Sequence, residues 1–254
     1  MKIALLQPKL AQKDPGGNLH TIHALVDRNL TKLRKVDICV LPECWFRSLS
    51  RREYESEARK IQKKLKTVLV AGSHHEADGV SVYNRGVVLG KDGRVLARYG
   101  KRHPFDREAH HGVKAHGEIC EFKLGGARVA VMICADFFFS EIFHKFRHQP
   151  DIVFIPAESV SSSSNDPRYG RNIWHHTAVA RAYEFTTFIA ISDWATSSEA
   201  RTCGATGFAD PTTQDNEPFF QWAGEGEGVL IAQANLERLK THRKRRQSMN
   251  FFWR

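Results

Sequence analysis

The stretch RVAVMICADFFFSE, residues 128–141, decides the fold class. Its small and β-branched apolar residues predict a buried strand over Val129–Ile133, and the following Ser140–Phe146 can be helical. Cys134 stands where the strand ends. A strand that leads directly into a helical segment is typical of α/β architectures, and the turn between them presents its side chain to a cleft.

Strand and helix patterns alternate on both sides of this stretch. A strand over residues 2–6 precedes a helix for which Asn18 is the predicted N-cap, and a helix is predicted over Asn172–Phe185. Hairpin turns are predicted at residues 91–94 and at Gly125-Gly126. We expect one α/β domain, with helices layered over antiparallel and parallel strands.

The positive charge is concentrated at the C-terminal end. Of the net charge of +10, six Lys or Arg residues without any acid lie in residues 240–254, which leaves about +4 for the rest. We therefore divide the chain into a domain over 1–239 and a basic, aromatic tail over 240–254. Such a tail can bind nucleic acid, but a solvated or partner-contacting end is the favoured interpretation.

The tail also carries Phe251, Phe252 and Trp253, which are costly to leave in water. We expect them to pack on something. The chain is accordingly expected to form a homo-oligomer, a dimer or larger, through the tail or the helix Asn172–Phe185.

Composition indicates a soluble, cytoplasmic protein. Hydrophobic residues make up 41% of the 254 residues, and no apolar run approaches the roughly 18 residues of a membrane helix. The apolar start is too short for a signal peptide. Five irregularly spaced cysteines favour free thiols in a reducing compartment over a disulfide framework.

Three predicted strands end in residues that can carry chemistry. Glu43 follows one strand, Lys101 another, and Cys134 a third. A thiol becomes nucleophilic at neutral pH beside a base or a cation, and a carboxylate and an ammonium in one pocket would supply both. Taken singly, a buried core thiol, a surface carboxylate and a solvated lysine are the ordinary alternatives.

The three local sequences together resemble a known family. LPECW (41–45), RYGKRHPFD (98–106) and VMICADFFFSE (131–141) are similar, in order, to the Glu-Lys-Cys motifs of the carbon–nitrogen hydrolase (nitrilase) superfamily. The resemblance covers most of the chain. It implies a four-layer αββα sandwich that assembles into dimers or larger oligomers, and an enzyme that hydrolyses non-peptide C–N bonds of small-molecule amides without a cofactor or metal.

The resemblance also implies roles for individual residues. Cys134 would attack the amide carbonyl to form a thioester, and Glu43 would act as general base and then as acid. Lys101 and the backbone N–H of Ala135 would stabilise the oxyanion. A second glutamate often follows the lysine in this family and holds it; Glu108 fits this role by spacing. Glu118 is a weaker candidate for the second glutamate.

Departures from the family pattern narrow the range of substrates. Ala135-Asp136 after the cysteine favours an amidase over a nitrilase, and nitrile or carbamoyl hydrolysis on the same triad is the alternative. Phe138 stands where many relatives have an arginine, and Glu158 replaces a common asparagine. These substrate-binding candidates favour an apolar or basic acyl group over an acidic one.

Other classes of function compete less well. A metal-dependent hydrolase is suggested by adjacent histidines, but adjacent residues of a strand point to opposite faces, and no pair has helical ligand spacing with a carboxylate. The pairs are His74-His75, His110-His111 and His175-His176. A non-catalytic binding protein is disfavoured by the intact Glu-Lys-Cys set. Cys44 ranks far below Cys134 as nucleophile, because it neighbours Glu43 along the backbone.

Overall fold

Helices cover the outer faces of two β-sheets. The computed structural model describes residues 1–117, 119–161, 166–197 and 201–251. Within these ranges the helices are α1 (Pro15–Leu33), α2 (Arg51–Leu65), the single turn α3 (Arg107–His110), α4 (Pro167–Phe185) and α5 (Leu236–Ser248), with 3₁₀ turns at Cys134–Phe138 and Ser140–Lys145. None of these helices is both long enough and apolar enough to cross a bilayer.

The first sheet is built around three parallel strands. Its strands are β1 (Lys2–Gln7), β2 (Ile38–Val40), β3 (Val68–Val70), β4 (His74–Asp78), β5 (Ser81–Leu89), β6 (Val95–Gly100), β7 (Val113–Lys114) and β14 (Gly228–Gln233). The order is β14-β1-β2-β3-β5-β4, and β6 and β7 also pair with β5. Since β1, β2 and β3 are parallel, their carboxyl ends share one edge.

The second sheet repeats this plan. Its strands are β8 (Cys120–Leu124), β9 (Ala127–Val131), β10 (Ile152–Pro156), β11 (Phe188–Ser192), β12 (Gly207–Ala209) and β13 (Phe220–Trp222), in the order β13-β12-β11-β10-β9-β8. The central strands β9, β10 and β11 are parallel. Gly125 and Gly126 both have positive φ in the β8–β9 turn, which confirms the hairpin predicted there.

Alternation along β1 shows how the layers are held. Ile3 and Leu5 belong to the core shared with the second sheet, whereas Ala4 and Leu6 pack with the buried faces of α1 and α2. On the far side, α4 contacts β11 and β12. Ser192 at the end of β11 donates its hydroxyl to the Leu6 carbonyl at 2.7 Å and so ties the two sheets together. The four-layer αββα sandwich is confirmed.

The start of α1 differs from the prediction. Its N-cap is Asp14, which accepts a hydrogen bond from the Gly17 N–H, and Pro15 occupies the first turn. Asn18 instead lies inside the helix, where its buried side chain bonds both backbone groups of Ala11. A tertiary contact therefore uses the side chain that the sequence pattern assigned to capping.

The C-terminal region is more ordered than a solvated tail. Helix α5 runs through residue 239, where the sequence analysis placed the end of the domain; that boundary stays a prediction. Phe251 lies at the end of the described chain, with its ring 3.9 Å from the Arg246 guanidinium. Phe252 and Trp253, on which the packing expectation also depended, lie outside the described residues.

Candidate active site

Cys134 occupies a strained turn at the carboxyl end of β9. Its φ is +48°, in a region that residues with a side chain rarely adopt, and the Asp136 N–H bonds the Ile133 carbonyl at 3.1 Å to close the turn. The side chain is almost fully buried. This is the predicted strand-to-helix turn, with a 3₁₀ segment in place of a regular helix.

Glu43 lies across from it, beyond the end of β2. One carboxylate oxygen accepts hydrogen bonds from Lys101 Nζ at 2.7 Å and from Asn84 Nδ2 at 2.8 Å. The other accepts the backbone N–H of Glu158 at 2.9 Å. Trp194 donates its indole N–H to the Glu43 carbonyl and so fixes the backbone as well. The carboxylate is therefore buried, and hydrogen-bond donors of the protein satisfy both of its oxygens.

Lys101 links two carboxylates. Its Nζ is 2.7 Å from Glu43 Oε1 and 2.5 Å from Glu108 Oε2, with only 3% of the side chain exposed. Burial acts to lower the pKa of Lys101, but the charges of Glu43 and Glu108 outweigh it and raise the pKa well above its ordinary value. The lysine is held as an ammonium.

The Cys134 thiol lies within the reach of both groups. Burial raises its pKa well above the ordinary value, the charge of Glu43 and a hydrogen bond to that carboxylate raise it further, and Lys101 opposes the shift. Its Sγ also lies 3.8 Å from the Glu158 carbonyl. The thiol is thus protonated at rest, with a carboxylate placed to accept its proton.

Glu108 reaches this centre from α3. Besides Lys101, its carboxylate accepts hydrogen bonds from Asn84 Nδ2 at 2.6 Å and lies 2.9 Å from His75 Nε2. Burial would raise the pKa of Glu108, but the bond from His75 and the charge of Lys101 lower it below its ordinary value. The structure therefore brings the spacing-based candidate against the lysine, while Glu118 lies outside the described residues.

Two further polar residues organise the site, and sequence reasoning missed both. Asn84 is a fully buried residue of β5 that donates to Glu43 and Glu108 at once. Asp136, two residues after Cys134, accepts the backbone N–H groups of Arg102 and His103 and so ties the loop after Lys101 to the cysteine turn. Asp136 lies within the motif quoted above, which was its only signal; a lone asparagine in a strand gives none.

The three remaining candidate residues have different surroundings. Ala135 directly follows Cys134 in the 3₁₀ turn and is buried. Glu158 follows β10, its carboxylate pairs with Arg47 at 3.4 Å, and burial raises its pKa to about 7 despite that arginine. Phe138 is 36% exposed and packs edge-on against Trp174 of α4.

One cluster beside the site has donors that suit a metal ion. The ligand atoms of Cys44, His75 and Glu108 all lie within 4.8 Å of one another. Sequence spacing predicts no metal site here. It pairs His75 with its neighbour His74, whereas the cluster combines His75 with residues from other elements. Cys44 itself belongs to this cluster, with its Sγ 3.8 Å from His75 Nε2, whereas Cys134 Sγ lies 3.8 Å from the Glu158 carbonyl.

Comparison with known proteins agrees with this architecture. The model of the carbon-nitrogen hydrolase family matches residues 2–244, so the chain belongs to that family. It is a hydrolase of carbon–nitrogen bonds. The 2-oxoglutaramate amidase of Bacillus subtilis is 25% identical, covering 92% of this chain and 91% of the relative. The omega-amidase NIT3 of Saccharomyces cerevisiae is 23% identical, covering 96% and 90%.

Solved structures show the same fold. The crystal structure of Saccharomyces cerevisiae Nit3, a member of branch 10 of the nitrilase superfamily, superposes with a TM-score of 0.80 at 21% identity. The match covers 96% of this chain and 93% of that one. The nitrilase-superfamily membership that the three motifs implied is thereby confirmed.

Proposed function

We propose that this chain is a thiol-dependent amidase in which Cys134 is the nucleophile, Glu43 the general base and Lys101 the oxyanion-stabilising cation. The observation that carries the proposal is the buried Glu43 carboxylate, which bonds the Lys101 ammonium at 2.7 Å and lies close enough to the Cys134 thiol to raise its pKa. A neutral thiol, its proton acceptor and a fixed positive charge thus occupy one enclosed space.

The reaction divides into two halves. Glu43 takes the thiol proton as Cys134 Sγ bonds the amide carbon, and Lys101 with the Ala135 N–H stabilises the oxyanion. The C–N bond then breaks, and Glu43 passes the proton to the leaving amine or ammonia. In the second half Glu43 deprotonates a water that attacks the thioester, which releases the acid and returns the proton to the sulfur.

Glu108 has a positioning role in this scheme. Its bond to Lys101 gives the ammonium a second carboxylate partner, so that the cation stays in place while Glu43 gains and loses a proton. Among the described residues, Lys101 forms salt bridges with these two carboxylates only. Removal of Glu108 would free the lysine to follow Glu43 alone.

The named relatives support an amide as the substrate. Both curated relatives are amidases by name, and one is named for 2-oxoglutaramate, an acidic amide. We propose that Glu158 and Phe138 of this chain contact the acyl group and that this group is apolar or basic. Burial raises the pKa of Glu158 to about 7, and its ionised form would repel a substrate carboxylate. Nitriles and carbamoyl compounds remain substrates to compare in the same assay.

Assembly and location complete the proposal. We propose a homo-oligomer formed through the outward face of α4, where Tyr169, Ile173 and Tyr183 are each more than two-fifths exposed. We place the enzyme in the cytoplasm, because all five cysteines are free thiols and the site depends on one of them.

The decisive experiment is a substrate panel of amides, nitriles and ureas with ammonia or amine release as the readout. Cys134→Ala should abolish turnover, and Lys101→Ala should reduce it by at least about 10²–10³-fold, as for the loss of one oxyanion donor. Cys203→Ser, which changes another buried thiol, is the matched control and should keep turnover. Full activity of Cys134→Ala would refute the proposal.

Glu43→Gln separates the two halves of the reaction. The amide keeps the shape and the hydrogen bonds of the carboxylate but takes no proton. Mass spectrometry of this variant after mixing with substrate should show an acyl adduct on the peptide that contains Cys134, if thioester hydrolysis is slowed more than its formation. Alkylation should inactivate the wild type in step with modification of Cys134. Inactivation that instead tracks Cys44 would contradict the assignment.

A further inference from the structure

A second group of reactive side chains lies next to the proposed triad. Cys44 follows Glu43 with φ +50°, and its thiol is buried. His75 comes from β4 and Glu108 from α3, so three elements contribute one donor each. Cys44 Sγ lies 3.8 Å from His75 Nε2, which in turn lies 2.9 Å from Glu108 Oε1.

The geometry differs from that of a thiol–imidazole–carboxylate relay. In a relay the thiol and the carboxylate bond opposite ring nitrogens, so that the imidazole passes a proton between them. Here both Cys44 and Glu108 contact the same atom, His75 Nε2. Three donor atoms that converge on one point suit a bound cation and do not suit proton relay.

The distances fit coordination with small adjustments. A tetrahedral zinc ion takes sulfur at about 2.3 Å and nitrogen or oxygen at about 2.0–2.2 Å, which places neighbouring ligand atoms about 3.3–3.5 Å apart. The sulfur–nitrogen and nitrogen–oxygen separations of 3.8 and 2.9 Å lie on either side of that value. The third pair, the Cys44 sulfur and a Glu108 carboxylate oxygen, lies within 4.8 Å and would close toward the same separation when a metal binds.

Charge and access favour a cation as well. The carboxylates of Glu43, Glu158 and Glu108 all act on Cys44, opposed by Arg47. The Lys101 ammonium, which pairs with Glu43 and Glu108, balances part of this negative charge. A bound divalent ion would compensate the rest, together with the Cys44 thiolate formed on binding. The cluster is reachable from solvent, since 29% of the His75 side chain and 11% of the Glu108 side chain are exposed.

We propose that Cys44, His75 and Glu108 form a binding site for a thiophilic divalent cation of the Zn²⁺ type, and that its occupation inhibits the enzyme. On binding, the Cys44 S–H bond breaks, the sulfur–metal bond forms and the thiol proton leaves to solvent. The proton that His75 Nε2 shares with Glu108 also leaves that nitrogen, a nitrogen–metal bond forms in its place, and the neutral ring carries its single proton on Nδ1. Three protein ligands leave a fourth position for water.

Inhibition follows because the cation competes for hydrogen bonds that hold the proposed catalytic residues in place. Glu108 Oε1 also accepts the hydrogen bond from Asn84 at 2.6 Å, and Asn84 holds Glu43 with the same amide nitrogen. A metal at Oε1 competes for those lone pairs and loosens Asn84 from its shared position. The inhibitory part rests on the proposed amidase function, but the binding part does not.

Binding is tested with Co²⁺ on the full chain, in a Cys134→Ala background that removes the other reactive thiol. We expect one Co²⁺ per chain and a thiolate-to-cobalt charge-transfer band. Adding Cys44→Ser, or separately His75→Gln at a partly exposed position, should remove the band, whereas Cys203→Ser should keep it. Circular dichroism verifies folding. The absence of the band in Cys134→Ala, or its survival in both Cys44→Ser and His75→Gln, overturns the site.

Inhibition is tested with Zn²⁺ in the amide hydrolysis assay. Zn²⁺ should lower kcat of the otherwise unchanged chain at least about fivefold, and a chelator should restore it. For His75→Gln, with turnover normalised to its own metal-free rate, the half-inhibitory Zn²⁺ concentration should rise about 10–100-fold, as for loss of a metal-site residue. Equal sensitivity of the two proteins overturns the inhibitory role. Absence of amide turnover in the metal-free protein refutes the proposed function and leaves the Co²⁺ result standing.

Discussion

Asn84 is the residue that coordinates the two carboxylates around Lys101. Its amide nitrogen donates to Glu43 at 2.8 Å and to Glu108 at 2.6 Å from a fully buried position on β5. A neutral donor between two carboxylates reduces their repulsion without competing for the lysine proton. The catalytic geometry thus depends on a residue that takes no chemical part in the proposed reaction.

Asn84→Ala should therefore lower kcat by about 10²-fold with a smaller change in KM, because displacement of catalytic groups by about 1 Å has effects of this size. Steady-state kinetics with a good amide tests this. Gln62→Ala is the matched control: Gln62 is another buried amide that bonds the carbonyls of Thr67 and Lys91, far along the sheet from the site. The control should lose stability and keep kcat. Equal kcat losses in both variants would contradict a positioning role.

His175 supplies a pH-dependent contribution to stability. It packs against the Phe220 ring at 4.2 Å, and burial lowers its pKa to about 4, with the charges of Arg171 and His176 acting in the same direction and a hydrogen bond to the Ala205 backbone opposing them. The unfolded chain binds a proton here near pH 6.5 and the folded chain only near pH 4. The contribution of His175 to the free energy of unfolding is therefore fully present above pH 6.5 and is lost as the pH falls toward 4.

Between pH 6.5 and 4 the free energy of unfolding should fall less in His175→Gln than in the wild type. We expect the difference to be about 1–2 kcal/mol, after allowance for the partial exposure of the ring. Urea unfolding at a series of pH values measures this. His20→Gln, which removes an exposed imidazole from α1, controls for the loss of an imidazole from a helix. Parallel pH dependence in the wild type and His175→Gln would refute the prediction.

At this scale, the sequence predicts residues whose types are unusual for their positions. Glu43, Lys101 and Cys134 stand out because a charged or thiol group directly follows an apolar strand. Asn84 does not, since its importance arises from contacts with residues 41 and 24 positions away. The metal-type cluster was missed for the same reason: Cys44 and its partners come from separate elements.

At the scale of elements, α5 is anchored by one of its arginines. Arg243 donates two hydrogen bonds to the carbonyl of Thr186, at 2.8 and 3.0 Å, and one to that of Pro150 at 2.6 Å, and it pairs with Asp151. Thr186 is the C-cap of α4, in a left-handed conformation. The guanidinium therefore binds at the negative end of that helix and joins α5 to α4 and to the start of β10.

Arg243→Gln should lower the unfolding free energy by about 2 kcal/mol, because it removes the charged partner of Asp151, which keeps the Arg128 N–H, and the donor to the Thr186 and Pro150 carbonyls. Arg245→Gln removes the same charge from an exposed position of α5 and should change it by less than about 0.5 kcal/mol. Urea denaturation compares the two. A similar, small effect of both variants would show that α5 is not anchored through Arg243.

The helix ends show why local patterns predict elements better than their limits. The predicted helix Asn172–Phe185 exists, but it begins at Pro167 with Asp166 as its N-cap, just as α1 begins at Pro15 behind Asp14. In both cases an Asp-Pro pair is the stronger start signal. The basic run of α5 predicts a solvated or partner-contacting end, because charge alone does not reveal that Arg243 and Arg246 point inward.

At the scale of the whole molecule, both sheets direct the carboxyl ends of their parallel strands to one edge. Glu43 follows β2 in the first sheet, and Cys134 and Glu158 follow β9 and β10 in the second. The site therefore exists only when the two sheets are stacked in register, which Ser192 and Trp194 secure through bonds to Leu6 and Glu43. The order of strands along the chain cannot reveal that stacking, whereas the family resemblance did.

The outward face of α4 is the surface expected to form the oligomer. Tyr169, Ile173 and Tyr183 lie within one third of the helix circumference and are exposed by 53%, 41% and 53%. Arg246 of α5 packs over the Tyr183 ring at 4.7 Å, so the C-terminal segment extends this face. Contiguous apolar side chains on a helix that already covers a sheet indicate a protein interface.

The double variant Tyr169→Glu, Ile173→Glu should shift the mass of the wild-type oligomer toward that of a single chain, because the buried interface would acquire unpaired charges. Sedimentation velocity or light scattering measures this over a range of concentrations. Val80→Glu is the matched control: Val80 is fully exposed in the β4–β5 turn, and the same change there adds a charge without touching the α4 face. The control should keep the wild-type mass. A wild type that is monomeric, or a double variant that keeps its oligomeric mass, would contradict the assignment of this face.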